Sequence, residues 1–61
     1  MPHAAGLRIG DDVRVTGGPF TDFTGPAVAL DPDRGRVQLT VDILGDIHTI
    51  DIPRSDVVRV G

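Results

Sequence analysis

The sequence predicts an all-β domain, a small five-stranded antiparallel barrel, and three observations lead there. Its charged residues are six arginines without a lysine and nine aspartates without a glutamate, so two good helix formers are missing and a residue that prefers caps and turns is abundant. Apolar and polar residues alternate in several short runs, the period of a strand with one buried face. Between those runs stand clusters of Gly, Pro and Asp, which punctuate a chain into turns. No segment keeps helical spacing long enough for a helix.

Along the chain, residues 1–8 (MPHAAGLR) show no sustained period and carry Pro and Gly early, so they read as a flexible lead-in or linker remnant before a domain at 9–61. From Asp12, Val13 and Val15 share one face while Arg14 and Thr16 share the other, which defines a first strand. A second, less regular strand, Ala27-Val-Ala-Leu30, follows the Gly25-Pro26 break. The third has the cleanest alternation, with Val37, Leu39, Val41 and Ile43 on one face. His48 to Ile52, with Ile50 and Ile52 together, gives a fourth, and Val57 to Val60 a fifth. Asp31-Pro-Asp-Arg-Gly35 reads as a hairpin loop, with Pro preset for a turn and Gly able to take positive φ, so strands two and three are antiparallel neighbours. Leu44-Gly45-Asp46 is a second tight connection, and Pro53-Arg-Ser-Asp56 one helical or 3₁₀ turn. Closing five such strands into a barrel removes the exposed edges of a flat sheet.

Composition excludes several function classes. A chain of 61 residues forms one domain that buries only about 60% of its unfolded surface, which leaves little room for a substrate cavity. Its 39% hydrophobic and 25% charged residues belong to a globular domain. With no cysteine there is neither a disulfide frame nor a thiolate metal site, in keeping with a reducing compartment. No apolar run approaches the ~20 residues of a membrane span, and the N-terminus lacks a signal-peptide pattern, so a cytoplasmic location is expected. His3 and His48 stand far apart in the sequence, Asp31-Pro-Asp33 lacks the other ligands of a calcium loop, and no nucleophile, base and orienter can be assembled. An enzyme, a metal site and a cofactor are therefore not expected. The net charge of −3 also argues against a phosphate-dominated nucleic-acid binder, whose affinity rests on clustered cations.

Both phenylalanines lie in one turn-rich stretch, Gly17 to Gly25 (GGPFTDFTG), in a chain without Tyr or Trp. Pro19 cannot donate to a ladder, and Gly17, Gly18 and Gly25 permit backbone positions that bulkier residues resist. The expectation is that one ring plugs an end of the barrel while the other stays at the surface as a partner anchor.

The stretch IGDDVRVTGGPFTDFTG (9–25), with ILG (43–45) and IDIPRSDV (50–57), resembles the KOW domain of the NusG family of bacterial transcription factors, from about Ile9 to Val60. The family pattern of a Gly-Asp pair, a Val-x-Val step and a Gly-Pro-Phe-x-x-Phe-x-Gly loop is matched by Gly10, Asp11, Val13, Val15, Gly18, Pro19, Phe20, Phe23 and Gly25. The resemblance implies an SH3-like barrel with Val13, Val15, Leu30, Val37, Leu39, Val41, Ile50, Ile52 and Val57 facing inward, in agreement with the alternation, and a capping role for Ser55 in the turn before the last strand. It implies a non-catalytic protein-interaction module in transcription elongation, termination or antitermination, or transcription–translation coupling. The partners implied are termination factor Rho or the ribosomal protein NusE. The implied contact surface is Phe20 and Phe23 with the turn Ile43, Leu44, Gly45 and Asp46. In the family that turn reads Ile-Phe-Gly-Arg, so Leu44 replaces an aromatic residue and Asp46 inverts a charge. Pro26 to Ala29 also departs from the family, either exposing Val28 as part of an apolar patch or marking a local change of register. A second reading, an RNA-binding KOW module of the ribosomal type, is disfavoured by the acidic balance.

Overall fold

The computed structural model describes residues 6–60; Met1 to Ala5, most of the expected lead-in, and Gly61 lie outside the described residues. Five strands form: β1 (Asp12–Val15), β2 (Thr24–Asp31), β3 (Arg36–Ile43), β4 (Asp46–Pro53) and β5 (Val57–Arg59), with a 3₁₀ turn at Arg54–Asp56. Every pairing is antiparallel and the strand order is β4-β3-β2-β1-β5. This is the five-stranded antiparallel architecture expected from the alternation. Strands β2 and β4 begin earlier than the alternation indicates, because ladder hydrogen bonds extend a strand through residues whose side chains carry no period. Thr24, Gly25 and Pro26 pair with Arg14, Val13 and Asp12, and Asp46 and Ile47 pair with Ile43 and Asp42.

The barrel does not close by hydrogen bonding. Among the described residues β4 and β5 end the strand order without pairing to each other, so two edges remain where a fully closed barrel would leave none. They are joined through the 3₁₀ turn, which is tied down at both ends. Arg54 donates its backbone N–H to Gly35 (2.7 Å), and the Asp56 carbonyl accepts from Thr16 (2.7 Å). The Arg54 guanidinium reaches the Val57 carbonyl at 3.2 Å. Ser55 caps nothing: the N-cap residue is Pro53 at φ −57, with no side-chain cap bond, because the rigid proline already sets the entry angle.

The core consists of Val13, Val15, Ala27, Val37, Leu39, Val41, Ile50, Ile52 and Val57. One expected member is displaced. Leu30 is half-buried against this cluster and Ala27 takes a central place. The cause is a shift of register between Ala27 and Ala29 in the β2–β3 ladder, which breaks strict alternation along β2. The same irregularity leaves Val28 41% exposed, so the local change of register anticipated for this stretch occurs. Leu7 and Arg8 are joined to the barrel: Leu7 packs against the core, and the Arg8 N–H donates to Asp11 Oδ2 at 2.9 Å.

Strand β2 changes partners along its length, pairing with β1 through Thr24–Pro26 and with β3 from Ala27 onward. At the crossing the backbone of Gly25 lies against that of Thr40 on β3. A Cβ on Gly25 would overlap the Thr40 carbonyl oxygen and stand 2.9 Å from its carbon. Both partners of this contact are backbone, so no side-chain rotation relieves it. Gly25→Ala should therefore destabilise the domain by about 3 kcal/mol or more, enough to unfold much of so small a protein at room temperature. A urea titration followed by far-UV circular dichroism checks this; a midpoint close to wild type would show that β2 can move away from β3.

Candidate protein-interaction surface

The loop between β1 and β2 is folded back onto the barrel by backbone bonds. Asp22 N–H donates to the Val15 carbonyl (2.7 Å), and Val15 N–H donates to the Phe23 carbonyl (2.9 Å). Within the loop, Phe23 N–H donates to the Phe20 carbonyl (3.0 Å), and the Thr21 hydroxyl donates to the Gly18 carbonyl (2.7 Å). Gly18 at φ 82 and Asp22 at φ 76 supply the left-handed residues this path requires. The two rings meet edge to face, centroids 5.8 Å apart at 73°, the geometry that aromatic quadrupoles favour. Phe20 and Phe23 are both half-buried and both pack against the core. The expected division into one buried plug and one surface anchor is not found, because strapping the loop to both sides of Val15 holds both rings over the same end.

The β3–β4 connection is a two-residue hairpin turn. Ile43 and Asp46 face each other as the last strand pair, and Leu44 (φ 55) and Gly45 (φ 92) both take positive φ, as a type I′ turn demands. Asp42 Oδ1 accepts the Gly45 N–H at 2.8 Å and so braces the turn from β3. Gly45 suits its position; Leu44 does not, since this site favours Asn, Asp or Gly. Leu44 is nevertheless 100% exposed, and Ile47, opposite Asp42 on β4, is 67% exposed. Ile43 is half-buried and joins the core, while Asp46 is exposed.

Strand register brings the loop and the turn to one end. Gly25 stands beside Thr40 and Val41, so Phe23, two residues earlier on the β2 side, and Ile43, two residues later on β3, run to the same end of the antiparallel pair. Phe20, Phe23 and Ile43 thus form a half-buried floor there, with Leu44, Gly45 and Asp46 projecting beyond it. Asp42 and Ile47 belong to this end too and were not singled out in the sequence. Ile47 left a readable trace, being out of phase with Ile50 and Ile52 on the same strand. The motif residues Gly10 and Asp11 hold β1's entry instead: Gly10, at φ 97, donates to the Ala27 carbonyl (2.8 Å), and the Asp11 carbonyl accepts from Ala27 (2.9 Å). At the barrel's other end an open groove of about 290 Å³ is lined by Leu7, Leu30, Pro32, Val37 and Arg54. Among the described residues no three His or Asp side chains gather as a metal site.

The family model for the KOW motif matches residues 9–42, more than half of the chain. The chain belongs to the KOW family. Within it the similarity is to NusG. This KOW domain is 44% identical over 53 residues to the transcription termination/antitermination protein NusG of Thermus thermophilus, covering 87% of the chain and 29% of that protein. It is 36% identical over 57 residues to the NusG of Pasteurella multocida, covering 93% and 31% respectively. A solved structure concerning domain interaction in Thermotoga maritima NusG superposes with a TM-score of 0.86 at 30% identity, over 97% of this chain and 33% of that one. The KOW domain therefore spans about a third of the length of the relatives it matches, and its fold is the SH3-like barrel that the motif implies.

The left-handed Leu44 gives a direct stability expectation. An L-residue in this region costs roughly 1–2 kcal/mol, and a fully exposed side chain recovers nothing by packing. Leu44→Asn or Leu44→Gly should raise stability by about 1 kcal/mol, readable as a higher melting temperature. An unchanged or lower value would show that Leu44 is held by contacts other than those described.

Proposed function

We propose that this KOW domain is a non-catalytic protein-interaction module in transcription elongation, termination or antitermination, or transcription–translation coupling, and that it binds its partner through the end formed by Phe20, Phe23 and the Ile43–Asp46 turn. One observation carries the reading: Leu44 is wholly exposed in a backbone conformation that penalises leucine. A residue whose backbone conformation costs stability without packing return marks a functional position, and an exposed aliphatic tip above an aromatic floor has the form of an interface anchor. The names of the NusG relatives support the setting in transcription termination and antitermination. The candidate partners are a NusE-type ribosomal protein and termination factor Rho, met in the cytoplasm.

The test is an NMR titration of the isotopically labelled domain with each candidate partner. Amide shifts should cluster at residues 20–23 and 43–47. Leu44→Ala should weaken binding by about 1–2 kcal/mol while changing stability by no more than about 0.5 kcal/mol, as for other exposed positions. Shifts confined to the Asp31–Arg36 hairpin would place the interface at the wrong end and leave the aromatic loop with packing alone.

The alternative, an RNA-binding module, makes a different prediction. With a net charge of −3, single-stranded or duplex RNA should bind at most weakly, with an affinity that fades as salt rises. Tight, sequence-dependent binding in a fluorescence-anisotropy titration would favour that reading over the protein partner.

A further inference from the structure

The net charge of this protein is concentrated at the proposed binding end. The chain has nine aspartates and six arginines. Three of the aspartates, Asp22, Asp42 and Asp46, belong to the aromatic loop and the hairpin tip, and all three are exposed. The other six aspartates are matched in number by the six arginines, so these three equal the whole net charge of −3. No arginine lies in residues 15–33 or 37–53; the nearest by strand register is Arg14, opposite Thr24 on the exposed side of β1. Asp56 adds to the same sign, its carboxylate lying 3.1 Å from where a Cβ on Gly17 would stand, at the foot of the loop. Elsewhere three of the arginines face aspartates: Arg36 with Asp51 at 2.8 Å, Arg34 with Asp31 at 3.8 Å and Arg59 with Asp11 at 3.9 Å.

We infer that the partner docking on this end presents an apolar socket rimmed by arginine or lysine: the socket receives Leu44 and Ile47, and the cations face Asp22, Asp42 and Asp46. This rests on the reading of that end as the binding surface and adds the chemistry of what it binds. Leu44 and Ile47 supply the apolar anchor. The aspartates around them would lose water on docking, a cost that only opposing cations or hydrogen-bond donors offset. The field they create extends about one Debye length, roughly 8 Å at physiological salt. It draws a cationic surface toward the tip and repels an anionic one, polynucleotides included. Asp46 is the decisive position, since it is exposed at the hairpin tip next to Ile47 and two residues from Leu44. Asp42 has a second duty in accepting the Gly45 N–H, so it is left intact in the test.

Two measurements test the assignment. The first compares amide relaxation enhancement by a cationic and by an anionic nitroxide co-solute of the same size. The cationic probe should enhance residues 20–23 and 43–47 several-fold more than the anionic one, and Asp22→Asn with Asp46→Asn should bring the two close to parity there. The second measures association with the NusE-type ribosomal protein and with Rho from the same cell. For the one that binds, association should slow several-fold between 50 and 300 mM salt, slow again with Asp46→Arg, and lose most of its salt dependence in the Asp22→Asn/Asp46→Asn variant, while Leu44→Ala should act on dissociation. Equal enhancement by the two probes overturns the inference, as does salt-independent association or tighter binding by Asp46→Arg. If Leu44→Ala changes nothing, or neither protein binds while the probes still report a negative end, the reading of that end fails and the inference with it. If Leu44→Ala weakens binding but charge removal does not, the docking end stands and only its charge selectivity falls.

Discussion

The fold depends on one contact between backbones. Strand β2 serves two neighbours in succession, β1 through Thr24–Pro26 and β3 from Ala27, and it can do so only if its backbone passes close to that of β3 at the point of change. Gly25 permits that approach because any side chain would occupy the Thr40 carbonyl oxygen. The position does not rely on the conformational freedom of glycine, as its φ is not among the left-handed ones; the requirement is for missing volume. Given that crossing, the rest follows. The Val13–Val15 and Val37–Val41 faces enclose one core, the register irregularity at Ala27–Ala29 absorbs the bend, and the loop before β2 and the turn after β3 arrive at the same end.

At that end, packing and exposure fall to separate residues. Among the described residues nine buried apolar side chains make a small core, and Phe20, Phe23, Leu7, Leu30 and Ile43 extend it at the margins. A domain of this size depends on its margins, because each half-buried ring contributes an appreciable part of a total stability of only a few kcal/mol. The phenylalanines are therefore committed to packing and to each other. Leu44 and Ile47 are free of that duty. They project from a hairpin braced by Asp42, whose carboxylate takes up the Gly45 N–H, so an unfavourable residue is held in place by a neighbour and not by its own contacts.

Much of this was legible before the structure. Strict alternation in Val37–Ile43 and the Asp31–Gly35 turn set the β2–β3 hairpin, and the spacing of Gly18, Pro19, Phe20, Phe23 and Gly25 pointed to the SH3-like barrel. What was not legible has physical causes. Ala27 was overlooked in favour of Leu30 because a bulge changes which residues of a strand point inward, and bulges leave little trace in a hydrophobic pattern. The open β4 and β5 edges could not be foreseen, since closure depends on three-dimensional spacing. Burial of both rings follows from the two backbone bonds to Val15, which no side-chain pattern encodes. Asp42 and Ile47 were readable in retrospect, one as an acceptor three residues before a turn glycine and the other as an isoleucine off the phase of its strand.

The two open edges and the charged tip bear on each other. An unpaired strand invites addition of another strand, and proteins commonly guard against it with charge, proline or shortness. Here β5 has only three residues and β4 ends in Pro53, and Asp51 near that end of β4 is charged and tied to Arg36 of the neighbouring β3. The opposite end of β4 begins with Asp46, so charge or proline guards both of its termini. The stretch between them, Ile47 to Ile50, has neither. The same aspartate that repels an anionic surface at the hairpin tip thus also discourages unselective pairing along the adjoining edge. The tip can expose an aliphatic side chain without offering a general aggregation site because the charge around it restricts what approaches.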